Sequence, residues 1–365
     1  MRRNILTAAL VVSCLALVSC SSSDSVEQPK EDFSQGNISD PTVSDEKLQK
    51  AAADCMAGSE VTGRPVRVVS TVAPITNLVG LLAGDTGTIV QGIVPEGTNS
   101  HTFEPPPSSV ATLETADIIF INGMKLEDPT LELAKANAPK AVICELGTAA
   151  LAESVWVYDF SVPEEGGKPN PHLWTNPPNV LPYLSTIRDV LAKADPTNID
   201  KYDTNYVKVS QLVMSLDEAM KVATETIPAN ERNLLTYHDA YAYFAIHFGY
   251  EVIGAIQPQS FEEPSPSDIA ALIDQVNSKK VKAIFGSEVF PSPVLEQIGK
   301  ETGVRYIDVL RDDDLPGEPG DAEHSWAGLM KFNYITIVEA LGGDATALKA
   351  VSIDAKIPDK ATYPQ

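Results

Sequence analysis

The sequence predicts an α/β protein of two lobes, each a mainly parallel sheet flanked by helices, joined by one long helix. Short β-branched runs alternate with segments whose apolar residues recur at helical spacing, first over residues 64–144 and again over residues 233–341. Strands separated by single helices pair in parallel, and the helices then cover both faces of the sheet. Between the two series, residues 198–227 contain neither Gly nor Pro, which indicates one uninterrupted helix.

The individual elements follow this alternation. In the first series, strand patterns occupy residues 66–70, 88–94, 117–121 and 141–144, and helical patterns occupy 75–82, 108–115 and 129–138. In the second series, strand patterns occupy residues 233–237, 251–256, 283–286 and 306–309, and helical patterns occupy 240–248, 269–278, 294–303 and 329–341. The helix between them would be roughly 40 Å long. We therefore assign residues 64–194 to the first lobe, 195–228 to the linking helix and 229–365 to the second lobe.

The N-terminus has the pattern of an export signal. Arg2 and Arg3 precede an apolar run over residues 5–18, which is too short to span a bilayer comfortably. The run ends at Cys20, and this junction resembles the lipobox of bacterial lipoproteins. The resemblance implies removal of residues 1–19 and acylation of Cys20, which would anchor the protein to the membrane. An ordinary secretory signal with a chance cysteine is the alternative.

Residues 21–63 are rich in Ser, Asp and Glu, so we predict that residues 20–63 form a disordered acidic tether with Cys20 at its start. Two further cysteines, Cys55 and Cys144, could pair in an oxidising compartment or could remain free thiols. The whole chain carries 50 acidic against 27 basic residues, a net charge of −23. This balance argues against nucleic acid as a partner and against adhesion of the whole body to an anionic membrane.

Histidines supply the candidate metal ligands. The chain has five, His101, His172, His238, His247 and His324. The first three lie in loop-like contexts next to predicted strands and helices, and ligands of open α/β sheets bind at the carboxyl ends of strands. Imidazole suits zinc and other late first-row divalent ions. His247 lies within a helical pattern and is expected to be an ordinary helix-face residue.

Several segments, in order, resemble the metal-specific cluster A-I substrate-binding proteins of bacterial ABC transporters. Residues 95–105 resemble the family's first histidine loop, and residues 116–123 resemble the strand after it. Residues 170–174 are similar to "DPHxW", with Asn in place of Asp, and residues 238–244 are similar to "HDAFxYF". Residues 306–310 resemble the strand before the closing helix. The resemblance covers most of the chain after residue 64. It implies two lobes joined by a rigid helix, with a metal ion in the cleft between them.

The resemblance also implies the ligands: His101 and His172 from the first lobe, and His238 and Asp308 from the second. Glu288 is the rival carboxylate. Three imidazoles and one carboxylate form a closed shell, which favours carriage of an ion over catalysis. Family members with Glu in place of the third histidine favour Mn²⁺. Because this chain has His238 at that position, Zn²⁺ is expected and Mn²⁺ is the alternative. The His-rich loop of many zinc members is missing from residues 155–170.

The expected function is therefore capture of a divalent metal outside the cytoplasm and its delivery to an ABC permease with its ATPase subunits. The protein would be a monomer, lipid-anchored to the cell membrane, and not an enzyme. Two other classes stay open. A secreted zinc hydrolase would need an open coordination position and a base, for which Glu104 or Asp239 could serve. A metal-binding adhesin would not depend on the histidines.

A last candidate feature is the acidic segment that follows Asp308. Asp312, Asp313, Asp314 and His324 belong to a stretch broken by Gly and Pro. One interpretation is a solvated surface loop. The other is an auxiliary site that collects metal near the cleft, since clustered charge speeds the association of an oppositely charged ion.

Overall fold

The computed structural model of the protein describes residues 45–158, 166–255, 265–287 and 292–364. All of them belong to one compact unit, Pro41–Gln365. The predicted signal peptide, Cys20 and the rival carboxylate Glu288 lie outside the described residues. Among the described residues, no helix has both the length and the apolar character needed to cross a membrane.

The first sheet is parallel throughout, with strand order β2-β1-β3-β4. Its strands are β1 (Arg67–Ser70), β2 (Ile89–Gly92), β3 (Ile118–Ile121) and β4 (Val142–Glu145). The helices of this part are α1 (Glu46–Cys55), α2 (Ala73–Ala83), α3 (Ser108–Glu114), α4 (Asp128–Asn137) and α5 (Leu146–Ala150). Every residue of β3 is buried, which explains why its sequence is uniformly apolar rather than alternating.

The second sheet is also parallel, with strand order β6-β5-β7-β8. Its strands are β5 (Asn233–Thr236), β6 (Glu251–Ala255), β7 (Ala283–Ser287) and β8 (Arg305–Leu310). The helices around it are α8 (Ala242–Phe248), α9 (Pro266–Lys279), α10 (Pro293–Thr302), α11 (Trp326–Ala340) and α12 (Thr346–Ala350). Two parallel sheets flanked by helices confirm the predicted α/β architecture of two lobes.

Two helices lie between the sheets in sequence, α6 (Pro177–Ala194) and α7 (Ile199–Glu225). The sequence predicted the 27-residue helix α7. It packs against α2 and α6, which precede it in the chain, and against α11 and α12, which follow it. The sequence did not predict α6, because prolines crowd its start and Pro182 lies inside it. Proline is tolerated in the first turn of a helix, and the buried face of α6 stabilises the rest.

The predicted disordered tether is wrong for its last part, because residues 46–55 form α1. The Asp45 side chain caps this helix by accepting a hydrogen bond from the Leu48 amide at 2.9 Å. At its other end, Cys55 is buried and forms a disulfide with Cys144 of β4, with Cα atoms 4.4 Å apart. The pairing that the sequence left open is therefore present. A covalent link to the sheet edge holds a segment whose own apolar content is low.

Candidate metal centre

Three histidines from separate parts of the chain converge at one point. His101 follows β2, His172 precedes α6 by a short helical turn, and His238 follows β5 of the second sheet. The Nε2 atom of His172 lies 3.1 Å from Nε2 of His101 and 3.0 Å from Nε2 of His238. Ligand atoms of all three rings lie within 4.8 Å of one another, the one such group of three or more potential metal ligands among the described residues.

Asn170 fixes the orientation of the central ring. Its side-chain amide donates to the backbone carbonyl of Asp239 at 2.6 Å, so its oxygen must face the other way. That oxygen accepts from His172 Nδ1 at 2.8 Å and from the His172 amide at 3.0 Å. Nδ1 therefore carries the proton, and Nε2 of His172 presents its lone pair to the cluster.

The surroundings keep all three imidazoles neutral. Burial lowers the pKa of His238 to about 4. Burial, reinforced by the neighbouring rings, lowers the pKa values of His101 and His172 well below the usual range. A neutral imidazole has a free lone pair and can bind a metal ion, whereas a protonated one cannot. The cluster is thus in its ligating form at neutral pH.

The structure does not bring Asp308 into this cluster. Asp308 is exposed in the middle of β8, an edge strand, and its ligand atoms are not among those that converge. The carboxyl ends of parallel strands meet at one edge of a sheet, whereas a mid-strand residue of an edge strand can face solvent. The sequence-based assignment of the fourth ligand to Asp308 is therefore corrected.

Asp313, three residues beyond the end of β8, is the better-placed carboxylate. It is 8% exposed, and its Oδ2 accepts a hydrogen bond from the amide of Ser100, the neighbour of His101, at 3.3 Å. Its Oδ1 is buried and has no hydrogen-bond partner within the described part of the chain. Burial raises the pKa of this carboxyl to about 6. Asp313 is also not part of the three-histidine group, but its buried oxygen beside the His101 loop is suited to a cation held by those rings.

The acidic segment after β8 is not an exposed loop at its start. Asp312, Asp313 and Asp314 are all buried. Asp314 Oδ2 accepts from the Gly97 amide at 2.7 Å, and the Asp312 carbonyl accepts from Trp174 Nε1 at 3.0 Å. These residues therefore pack against the loops of His101 and His172. Burial contradicts the interpretation of these three acids as a solvated loop, and their role as a collecting site stays a prediction.

The two remaining histidines lie elsewhere. His324 is buried, with its Nε2 3.7 Å from Glu96 Oε1 and its ring edge-on to Tyr363. His247 lies on α8 with its Nε2 2.6 Å from Asp217 Oδ1 of α7. This confirms that His247 is a helix-face residue with a structural partner.

A buried network behind the site was missed by sequence reasoning. Glu127 accepts from the Thr71 hydroxyl at 2.6 Å and from the backbone amides of Asn122 and Gly123 at 2.8 and 3.1 Å. The Asn122 side chain in turn donates to the carbonyl of Pro171, next to His172, at 2.9 Å. Burial raises the pKa of Glu127 to about 7. The Asn-Gly pair after a buried strand was the available signal for this turn.

Comparison with known proteins identifies the family. Residues 68–340 match a sequence model described as the periplasmic zinc-uptake complex component A, ZnuA. The iron-binding protein YfeA of Yersinia pestis is 28% identical over 284 residues, covering 77% of this chain and 88% of YfeA. The manganese-binding lipoprotein MntA of Halalkalibacterium halodurans is 26% identical over 293 residues, covering 80% of this chain and 94% of MntA.

Solved structures agree with this match. The periplasmic zinc-binding protein TroA of Treponema pallidum superposes with a TM-score of 0.69 at 25% identity, covering 76% of this chain and 99% of TroA. A manganese-bound periplasmic metal-binding protein from Candidatus Liberibacter asiaticus superposes with a TM-score of 0.67 at 26% identity, with the same coverage of 76% and 99%. The match to the family extends over both sheets, and the chain belongs to the ZnuA family of periplasmic metal-uptake components.

Proposed function

We propose that this protein captures one divalent transition-metal ion outside the cytoplasm and delivers it to an ABC importer. The observation that carries the proposal is the convergence of three neutral imidazoles, two buried and that of His101 half-buried, with Nε2 separations of 3.0 and 3.1 Å. Zinc bonds to imidazole nitrogen are 2.0–2.1 Å long, so neighbouring nitrogens of a tetrahedral site lie about 3.3 Å apart. A few tenths of an ångström would bring the rings to that separation.

The ligand set is His101, His172, His238 and Asp313. The three histidines offer the same type of nitrogen, and Asp313 supplies the oxygen that the sequence assigned to Asp308. Its unpaired buried Oδ1 and its bond to the Ser100 amide support this choice. Four protein ligands leave no open position for a catalytic water, which favours carriage of the ion over hydrolysis.

Zinc is the favoured cargo, with manganese as the alternative. Three nitrogen donors and one oxygen suit zinc, and at a given site zinc binds more tightly than manganese. The similar proteins carry names that include zinc, manganese and iron, so the family as a whole handles several divalent ions. The donor set of this chain is the argument for zinc within that range.

The expected location and partners follow from the family. A periplasmic family and a similar protein named as a lipoprotein support a place outside the cytoplasm, with Cys20 as the acylated anchor. The partners would be a membrane permease and its ATPase subunits. The ion would pass to the permease when the loops that bear the histidines separate.

The decisive experiment is metal analysis of protein purified without chelators, followed by competition between Zn²⁺ and Mn²⁺. We expect one tightly bound ion per chain and preference for Zn²⁺. Replacing both His101 and His172 with Ala should abolish tight binding, whereas the matched His247→Ala change should leave it intact. Full affinity in the double variant would refute the ligand assignment, and hydrolytic turnover by the metal-loaded protein would favour the enzyme instead.

A further inference from the structure

The chain continues beyond α12 as an extended strap, which we define as residues 352–364. It lies outside residues 68–340, the part of the chain that matches the family. At its root, Lys331 Nζ of α11 donates to the carbonyl of Val351 at 2.7 Å. From there the strap returns to the first sheet and ends beside the loop that bears His101.

The end of the strap pairs with the edge of the first sheet. Thr362 forms a parallel bridge with Gln91 of β2. The Thr362 amide donates to the Val90 carbonyl at 3.0 Å, and the Thr362 carbonyl accepts from the Gly92 amide at 2.8 Å. These are the bonds of a regular parallel ladder, so the strap acts as a short additional strand beside β2.

Side chains hold the strap at a second point. Asp359 accepts from Asn77 Nδ2 of α2 at 2.8 Å and from the hydroxyl of Tyr363. Asn77 also accepts from the amide of Trp326 at 2.9 Å, which ties the first turn of α11 to the same point. Tyr363 is 9% exposed and lies edge-on to the ring of His324. Hydrogen bonds therefore hold the strap between residues 359 and 364, and Tyr363 is its buried anchor.

The strap reaches the His101 loop directly. The Glu96 amide donates to the Pro364 carbonyl at 3.2 Å, five residues before His101. The next amide, that of Gly97, donates to Asp314, and the Ser100 amide donates to Asp313. Three amides of this short loop are thus held by acceptors from the C-terminal part of the chain. Of these acceptors, the one from the strap is nearest to where the loop leaves β2.

We propose that the strap is a positioning element for His101 that slows release of the bound metal. It fixes the loop at Glu96, so that His101 cannot leave the cluster unless the strap yields or the loop bends beyond that point. This inference rests on the proposed metal capture. Loss of this hydrogen bond and of the ladder beside it should speed metal release about five- to tenfold while scarcely changing association.

The test compares metal release from three variants with release from the wild type. The first is a chain that ends at Ala361, which removes residues 362–365. The second is Gly80→Ala, because an added Cβ on α2 would lie 2.2 Å from Asp359 Oδ1 and 3.1 Å from Ala361 Cβ, so that the Asp359 carboxylate, which holds the strap, must shift. Ala is the better helix former, so this change favours α2 itself. The control is Lys360→Ala, which removes only the exposed Lys360 Nζ–Asp85 Oδ1 pair at 2.5 Å.

Release is measured by stopped flow with a chelator in excess, and amide hydrogen exchange is measured in metal-free protein over residues 93–101. We expect faster release and faster exchange in the truncated chain and in Gly80→Ala, and wild-type values in Lys360→Ala. A strap that only stabilises the fold would lower thermal stability without changing release. Unchanged release in Gly80→Ala would overturn the proposal, even where exchange is faster.

The two proposals fail in different ways. If wild-type protein bound no metal, the proposed function would be wrong, and so would the effect on release. If wild-type protein bound one ion and the strap variants released it at the wild-type rate, only the strap proposal would be wrong. Equal exchange over residues 93–101 in the truncated chain and the wild type would also overturn it, since the strap would not be holding the loop.

Discussion

Replacing Asp313 with Asn should weaken metal binding and, at the same time, stabilise the metal-free protein above pH 6. Burial raises the pKa of the Asp313 carboxyl from 3.8 to about 6. The shift of 6 − 3.8, or 2.2 units, corresponds to about 3 kcal/mol at 1.36 kcal/mol per unit. Asn cannot ionise, so the folded variant does not carry this cost of a buried charge.

The sign fixes the pH range of the effect. The folded-state pKa is raised, so the contribution of this carboxyl to stability is fully present below the unfolded value of 3.8 and is lost as the pH rises through 6. The advantage of Asp313→Asn should therefore be small near pH 4, grow between pH 4 and 6, and reach about 3 kcal/mol at pH 8. Urea unfolding of both proteins without metal, at pH 4 and pH 8, measures it.

Metal binding should change in the opposite direction. Without the anionic ligand, we expect affinity at pH 7.5 to fall by more than about 100-fold, the upper end of the loss caused by altering groups that only support a ligand. Asp308→Asn is the control, because Asp308 is exposed on β8 and neither property should change. An Asp313→Asn protein that bound metal as tightly as the wild type, or was no more stable at pH 8, would refute this assignment.

Three further outcomes are expected. Asn170→Asp keeps the oxygen that accepts from His172, but it replaces the amide nitrogen that lies 2.6 Å from the Asp239 carbonyl with a carboxylate oxygen. Because the two oxygens repel each other, the His172 loop should be held less firmly, and a chelator assay should show metal release about tenfold faster. Cys55→Ser removes a cross-link between residues 89 apart in sequence and should lower the free energy of unfolding by about 4 kcal/mol in urea titrations. Metal affinity of the wild type should fall about tenfold per pH unit between pH 6 and 4, because one proton competes with the metal for the Asp313 carboxylate. This pH dependence should vanish in Asp313→Asn. A slope of three protons in this range would show that the imidazoles compete instead.

The arrangement of the sheets was predictable because it depends on local pattern. Uniformly apolar runs such as Ile118–Ile121 are typical of strands buried on both faces, and the helical segments between the strands favour parallel pairing. The same rule places residues that follow strands, such as His101 and His238, at one edge of each sheet. That His172 lies next to His101 and His238 was predicted only from the resemblance to a family, because no spacing in the sequence links residues so far apart.

The errors arose where tertiary contacts override local pattern. Asp308 and Asp313 are both acids near the end of one strand, and only the packing of β8 at the sheet edge decides which of them is buried. The helix α1 has a polar sequence and becomes ordered where the Cys55 disulfide attaches it to β4. The proline-rich start of α6 is typical of a loop in sequence, and the burial of one face of the helix, which stabilises it, is a tertiary contact.

The pKa shifts of the site explain why a metal ion, rather than a proton, fits it at neutral pH. Burial lowers the pKa of His238 to about 4 and raises that of Asp313 to about 6. Both shifts disfavour charge, so the metal-free site is most stable with neutral imidazoles and a protonated carboxyl. Above pH 6 the carboxylate must ionise in a buried position, and a divalent cation among the rings offsets that cost. The carboxylate, and not the histidines, should therefore set the lower pH limit for capture.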